Sequence, residues 1–342
     1  MTDPCDRSPA RETVAASTEA EIIEIFTAAA SRASAGHPPT TLVVGNGDDA
    51  AVFAASTDVV ASTDMIVEGT HFRREWSTPA EIGARAVAQA ASDISAMGAH
   101  VRYIVIALSL TRDMMLADVE CLATGAAMEA RRAGAQIIGG DITTGPCLVL
   151  APMALGDFEE EGAAAVRLSG ARPGDVLALS GLPGRSAAGL ELISAGYADG
   201  IAQDLFRAPR PEYTLGSAAR RAGASALTDV TDGLLLDLSG LCRASGVIAY
   251  LDTSTFVDDK VLRDAAATLG KDHGSAVAEW HLTGGEDHGL LASFPAGTEI
   301  PTGFTACGVI GEPTQEHGAG SVLVDGEPRR ISGWDSARGR QT

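Results

Sequence analysis

Residues 78–110 read TPAEIGARAVAQAASDISAMGAHVRYIVIALSL, and the fold is decided there. Thr78 is a good N-cap, Pro79 suits the first helical position, and Glu81 completes a capping box. An Ala-rich helix is expected from there to Met97, stopped by Gly98 just past its end. Residues 103–110 are apolar for almost their whole length and read as a strand. A second helix to about Ala133, ended by Gly134, a strand at 136–138 and another near 147–155 follow. The result is a β-α-β-α alternation.

Working outward, residues 1–18 read as an irregular leader and 19–30 as a helix. Residues 34–40, with Gly36, Pro38 and Pro39, read as a loop, and short β-rich runs follow at 41–44, 51–53 and 59–62. Downstream, Arg172-Pro173-Gly174-Asp175 makes a turn into a strand at 176–180. Helices are expected at 186–194, 212–221 and 234–244, the last stopped by Gly246. Strands are expected at 247–251, 289–293 and 322–324, the last turning at Asp325-Gly326. A chain of 342 residues is too long for one ordinary core. The repeated alternation indicates two α/β (α+β) domains joined near 155–175: a leader 1–18, an N-terminal domain 19–155 and a C-terminal domain 156–342.

Asp and Glu number 45 against 25 Lys and Arg, a formal net charge of −20. No basic footprint for nucleic acid rises above that background. An acidic protein that binds a polyanion must recruit cations, which points early to divalent metals. The five cysteines, Cys5, Cys121, Cys147, Cys242 and Cys307, form no C-x-x-C pair. That argues against a zinc site or a disulfide framework and for a reducing compartment. With no signal-like start and no apolar run long enough for a bilayer, the expectation is a cytoplasmic protein without membrane attachment.

There is no G-x-x-x-x-G-K-[ST], no G-x-G-x-x-G and no kinase H-R-D with D-F-G. Acids instead stand beside small residues at the ends of β-rich runs: Gly47-Asp48-Asp49-Ala50, Ser62-Thr63-Asp64, Ser92-Asp93, Gly139-Gly140-Asp141 and Asp229-Val230-Thr231-Asp232-Gly233. One such acid is usually a turn or cap residue. Five clusters are a better match to Mg²⁺, which takes a few carboxylates together with water and phosphate oxygens.

In order, GDDAAVF, STDMIVEGTHF, SDISAMGA, GGDIT, SGARPGD, DVTDGL and LTGGEDHGLL resemble the motif series of the thiamine-monophosphate kinase family. That family belongs to the superfamily of aminoimidazole ribonucleotide synthetase and selenophosphate synthetase. The resemblance spans about residues 42–335, and the E-G-x-H-F and G-G-E-D segments separate this family from its relatives. It implies a two-domain aminoimidazole ribonucleotide synthetase-like fold, an N-terminal domain that dimerises with its copy, and a C-terminal α/β domain behind it.

The resemblance also implies ATP-dependent, Mg²⁺-assisted, in-line phosphorylation of thiamine monophosphate to thiamine diphosphate. It makes Asp49, Asp64, Asp93, Asp141, Asp229 and Asp232 ligands of several Mg²⁺ ions, joined by Ser62 and Thr63. Asp64, Asp93, Asp141 and Asp232 are the expected catalytic group. Gly140, Asp141, Arg167 and Thr231 would meet ATP, and His71, Glu286 and Trp334 the acceptor. Trp334 offers an aromatic face to a cationic thiazolium.

The chain departs from the family pattern at Ala90, Leu168, Arg185, His288 and Gly289, none of them an implied ligand. Two alternatives stand beside this reading: an ATP-dependent relative with another small acceptor, and a non-catalytic nucleotide- or metal-binding regulator. The segment after Glu68 and the aromatic near the C-terminus argue against the first, and the full set of aspartates against the second. His37, His100, His273 and His317 read as surface residues, and Met65, Met97 and Met153 as core.

Overall fold

The computed structural model describes residues 13–36, 41–45, 50–335 and 340–341, with residues 334, 335, 340 and 341 described by their backbone. The chain divides into two compact units. The first holds the described residues up to Ile94 and those from His100 to Ala163; the second holds Ser95–Ala99 and the chain from Ala164 onward.

The first unit contains α1 (Glu19–Ser34), β1 (Leu42–Val44), β2 (Val52–Phe53), β3 (Val60–Thr63), β4 (Ile66–Val67), α2 (Pro79–Ala96), β5 (His100–Leu110), α3 (Leu116–Arg132), β6 (Gln136–Thr144) and β7 (Val149–Asp157). Its sheet runs β3-β7-β5-β6, with β4 also on β7. The β5–β6 pair is parallel and the others are antiparallel. The capping box at α2 forms as the sequence requires. The Thr78 hydroxyl accepts from Glu81 N at 3.3 Å, and the Glu81 carboxylate accepts from Thr78 N at 2.7 Å. Ile104, Ile106, Leu108 and Leu110 of β5 alternate into the core. Tyr103, facing the other way, meets Phe53 with ring centroids 4.8 Å apart.

Three expectations are corrected here. β6 does not end at Ile138 but continues through Gly139, Gly140 and Asp141 to Thr144. The glycines read as a loop, yet at Gly140 a Cβ would run into the Ile106 carbonyl, so the missing side chain is what lets β5 approach. The N-terminal domain also extends beyond residue 155, because Gly156 pairs with Val60 and Val101 and Asp157 with His100. Met65 and Met153, read as core, are 53% and 43% exposed.

The second unit contains β8 (Val176–Ser180), α4 (Arg185–Ser194), α5 (Ile201–Arg207), α6 (Thr214–Arg221), β9 (Ala226–Val230), α7 (Leu234–Ser245), β10 (Ile248–Leu251), α8 (Lys260–Thr268), α9 (His273–Thr283), β11 (Gly289–Phe294), β12 (Phe304–Gly311), β13 (Val322–Val324), β14 (Glu327–Pro328), β15 (Trp334–Asp335) and β16 (Arg340–Gln341). Its sheet runs β14-β13-β10-β12-β8-β11-β9, and only β10–β13 is parallel among the pairs of this sheet. Leu177 and Leu179 of β8 pack toward Leu234, Leu235, Leu238 and Leu241 of α7. Ala178 between them packs on the other face with Ala219 of α6, Phe294 and Phe304. The sheet is therefore a central layer with apolar side chains used on both faces.

Among the described residues no helix is long and apolar enough to cross a membrane. The cysteines, read as a set that argues against disulfides, are corrected at one position: Cys121 is disulfide-bonded, while Cys147, Cys242 and Cys307 are free. Burial pushes the Cys242 and Cys307 thiols up to about 12, so both behave as apolar packing.

Candidate active site

In the second unit, β11 lies antiparallel between β8 and β9. The carboxyl ends of β8 and β9 and the amino end of β11 therefore share one edge of the sheet. Three loops meet there: 181–184, 231–233 and 284–288. The 284–288 loop is laid on the 231–233 loop by backbone contacts. Glu286 N donates to the Thr231 carbonyl at 2.8 Å and His288 N to the Val230 carbonyl at 3.1 Å. Glu286 and His288 hold φ of 66° and 53°, a left-handed geometry that non-glycine residues adopt at a cost. The loop before Trp334 closes on the same place, for a Cβ on Gly333 would stand 2.5 Å from the Asp232 carbonyl.

The acids of these loops differ in what they hold. Asp229, at the end of β9 and 9% exposed, accepts from the Thr231 hydroxyl at 2.9 Å and faces His288 Nδ1 at 3.3 Å, both through Oδ2. Asp287 turns away and accepts from the backbone N–H groups of Gly184 at 2.5 Å and Ser186 at 2.9 Å, anchoring the start of α4. Burial pushes its carboxyl up to about 6 despite those two bonds. Arg185 forks onto Asp259 at 2.6 and 3.2 Å, and Asp259 in turn caps α8 through Val261 N. This departure from the family pattern thus ties α4 to α8. Gly289 has a comparable reason: a Cβ there would overlap the Ser180 carbonyl.

Asp237, in the first turn of α7, was not singled out by its sequence. Its Oδ2 accepts from the N–H groups of Thr231, Asp232 and Gly233 at 2.9, 3.1 and 3.2 Å, so one carboxylate shapes the whole D-V-T-D-G loop. Burial first, then the charges of Asp232 and Asp229, push it up to about 7. The signal in the sequence was D-x-x-D-G followed four residues later by another acid, easily read as an ordinary helix-start charge.

In the first unit, Ser62 of β3 donates to Asp93 of α2 at 2.5 Å. Thr63 and Asp64 are fixed to the Pro152 carbonyl, through a hydroxyl at 3.0 Å and a backbone N–H at 3.1 Å. Met65 N donates to Asp64 Oδ1 at 2.7 Å. His71 Nδ1 accepts from Val67 N at 3.1 Å, which leaves the ring proton on Nε2. Asp141 is exposed on β6, opposite Ala107 of β5. β6 and β3 are the two ends of the sheet path, three strand spacings or about 14 Å apart. Ser62 and Asp93 are thus bonded to each other, and Asp141 stands on the opposite end strand of the path. Arg167 is exposed, its carbonyl accepting from Leu227 N at 3.1 Å. Asp49 lies outside the described residues, and the Trp334 side chain does likewise.

The donor set fits Mg²⁺: carboxylates and hydroxyls, with two acids whose charges raise a third. Among the described residues no group of three His, Cys, Asp or Glu is gathered as a ready cage.

Residues 47–157 match the family model for AIR synthase related protein, N-terminal domain. This is the class that the sheet and its bordering acids define. The chain is 41% identical over 303 residues to thiamine-monophosphate kinase of Mycobacterium tuberculosis (strain CDC 1551 / Oshkosh), covering 87% of each. The solved thiamine-monophosphate kinase from Stenotrophomonas maltophilia K279a is 29% identical, with a TM-score of 0.76 over 89% of this chain and 97% of that one. A structure of AaThiL complexed with AMPPCP and TMP is 27% identical, with a TM-score of 0.73 over 83% and 88%. The chain belongs to the thiamine-monophosphate kinase family.

Proposed function

We propose that this protein transfers the terminal phosphoryl group of ATP directly to the phosphate of thiamine monophosphate, giving thiamine diphosphate and ADP. The observation that carries the reading is the convergence of the 231–233, 284–288 and Gly333 loops in a chain 41% identical to such a kinase. Asp49, Ser62, Thr63, Asp64, Asp93, Asp141, Asp229 and Asp232 are the residues that would hold Mg²⁺. When bound, Mg²⁺ supplies the positive charge that lets two phosphate groups approach.

The protein's own part is positioning. Thr231, Gly140 and Arg167 meet the nucleotide. Glu286, His71 and Trp334 are the residues assigned to the acceptor in this reading. A phosphate monoester loses its second proton at about 6, so the attacking oxygen is already ionised at neutral pH and no strong base is needed. The acid-rich, Lys-poor inventory agrees with that.

The functional unit in this reading is a homodimer working in the cytoplasm, which supplies ATP. The support for dimerisation is the exposed apolar surface of the first unit, including Val43, Val52, Met65 and Met153, and the placing of Asp141 on β6 and Ser62 on β3, the two ends of the sheet path. The test is ADP release from ATP with Mg²⁺, with and without thiamine monophosphate. ADP should appear with the acceptor and be near background without it. ADP formation indifferent to the acceptor would refute the proposal.

A further inference from the structure

Acids outnumber Lys and Arg in this chain by 45 to 25, yet one cleft of the second unit is lined by basic side chains and by no acid. It has a volume of about 330 Å³ and lies where the later turns of α7 meet residues 317–322 and the segment after β14. Arg243, His317 and Arg329 stand around it, while Val322 and Ile331 join it to the apolar core. The acids nearest in sequence to His317 and Arg329, Glu316 and Glu327, are exposed and do not line it. Asp325 feels the charge of Arg329, but its carboxylate already accepts from Thr253 N at 2.9 Å and the Thr253 hydroxyl at 2.6 Å.

The donors are held in place and have capacity to spare. Arg243 Nη2 donates to the Ser239 hydroxyl at 3.2 Å, and that hydroxyl donates to the Gly320 carbonyl at 2.7 Å. Ser239 is 3% exposed, so the support beneath Arg243 is buried. A Cβ on Gly320 would stand 3.4 Å from Arg243 Cβ and 3.5 Å from its Nε, so the arginine lies along the bare glycine. Among the described residues, Arg243, His317 and Arg329 form no ion pair, and the N–H groups of Gly318 and Ala319 donate to no atom.

The chemistry of that lining selects the ligand. A metal cation would need carboxylates, and none is there. A carboxylate offers two oxygens, whereas two guanidinium groups, an imidazole and two backbone N–H groups supply far more donors than two oxygens can use. A phosphate group has three or four oxygens and up to two charges, and arginine forks match it in pairs. We propose that this cleft binds a phosphate or diphosphate group, at a place separate from the candidate active site. Arg243 is in the last turn of α7, whereas Asp237, which shapes the D-V-T-D-G loop, is in its first. The proposal does not rest on the functional reading above.

The test uses the full chain with ¹³C-labelled histidine, in EDTA, at fixed pH and constant ionic strength so that general screening does not change. The ring resonance of His317, identified by its loss in His317→Gln, is followed while inorganic phosphate, inorganic diphosphate or acetate is added. Without metal the candidate active site presents mainly carboxylates, and the signal is read at the cleft itself. Diphosphate and phosphate should shift the resonance saturably, diphosphate at the lower concentration, and acetate should not saturate it. Arg243→Gln and Arg329→Gln should each weaken diphosphate binding about three- to tenfold, with melting temperatures within about 3 °C of wild type. Thiamine diphosphate as a fourth probe distinguishes the sources: affinity equal to inorganic diphosphate means that the phosphoryl group alone is read, and tighter binding means that an organic ester is the ligand. A shift that is the same for acetate and diphosphate would overturn the proposal. So would no shift with either phosphate probe, or diphosphate binding unchanged in both arginine variants.

Discussion

Replacing Asp237 by Asn tests whether the D-V-T-D-G loop is built around an electrostatic conflict that a metal relieves. The amide oxygen of Asn can still accept from Thr231, Asp232 and Gly233, so the loop keeps its frame. What disappears is a negative charge close to Asp232 and Asp229, held in a site where the carboxyl titrates near 7 rather than 3.8. In metal-free protein the folded state then binds more protons than the unfolded state between those two values. Stability falls as pH rises through that window, by at most about 1.4 kcal/mol per pH unit. Below it the group is protonated in both states, and above it the penalty is complete. The ceiling is about 4 kcal/mol, and partial solvent screening brings the change between pH 5 and 8 to about 2 kcal/mol. For a cooperative unit of this size that is a melting-point difference of about 4–8 °C. Thermal unfolding in EDTA from pH 5 to pH 8 should show the Asn variant pulling ahead of the wild type as pH rises and then running parallel above about pH 7.5. Adding Mg²⁺ should stabilise the wild type more than the variant. Parallel curves across the whole range, or a variant less stable than wild type at pH 8 in EDTA, would refute the reasoning.

EDTA should abolish ADP formation and Mg²⁺ restore it, and Asp64→Asn should lose most activity with an unchanged circular dichroism spectrum; full turnover in metal-free buffer would contradict the reading. Trp334→Ala should raise the acceptor KM roughly tenfold, the loss of about 1–2 kcal/mol of stacking and cation–π attraction. The ATP KM should stay put, and equal effects on both substrates with a large fall in melting temperature would assign Trp334 to packing. Sedimentation at micromolar concentration should give twice the 34.9 kDa chain mass, and a Met153→Glu substitution on the exposed sheet surface should shift the mass toward one chain.

The parts of the fold legible in the sequence are those with local punctuation. Thr78 and Glu81 announced α2, Gly98 and Gly134 closed two helices at φ of 76° and 80°, and Asp325-Gly326 turned β13 into β14. α8 and α9 were missed although Asp259 and Asp272 cap them, because a capping Asp in a polar stretch looks like any surface acid. β6 was cut short because a pair of glycines signals a loop unless the neighbouring strand is known. In the site, the acids that repeat beside small residues stood out by their number. The tasks of Asp237 and Asp287 did not, since each acts by accepting N–H bonds from a loop whose closeness is a tertiary fact. For Asp287 the partners lie about a hundred residues away. His288 was visible only as a departure, and its two neighbouring carboxylates, one of them in β9, emerged from the register of β9 on β11.

The sheet order of the two units has a consequence for how the chain leaves the ribosome. β3 and β4 pair only with β7 among the described strands, so residues 60–67 wait about ninety residues for a partner. β8 waits longer, because it lies between β11 and β12 and neither exists until residues 289–311 have been made. Its sequence, Val176–Ser180, is apolar except for Ser180, the type of segment that pairs wrongly when left open. Translation at about 5–20 residues per second leaves that strand without its neighbours for several seconds. Pairing of β8 is therefore delayed until about residue 311 has been made, and a nascent chain halted near residue 280 should be a chaperone client while one halted near residue 165 should not.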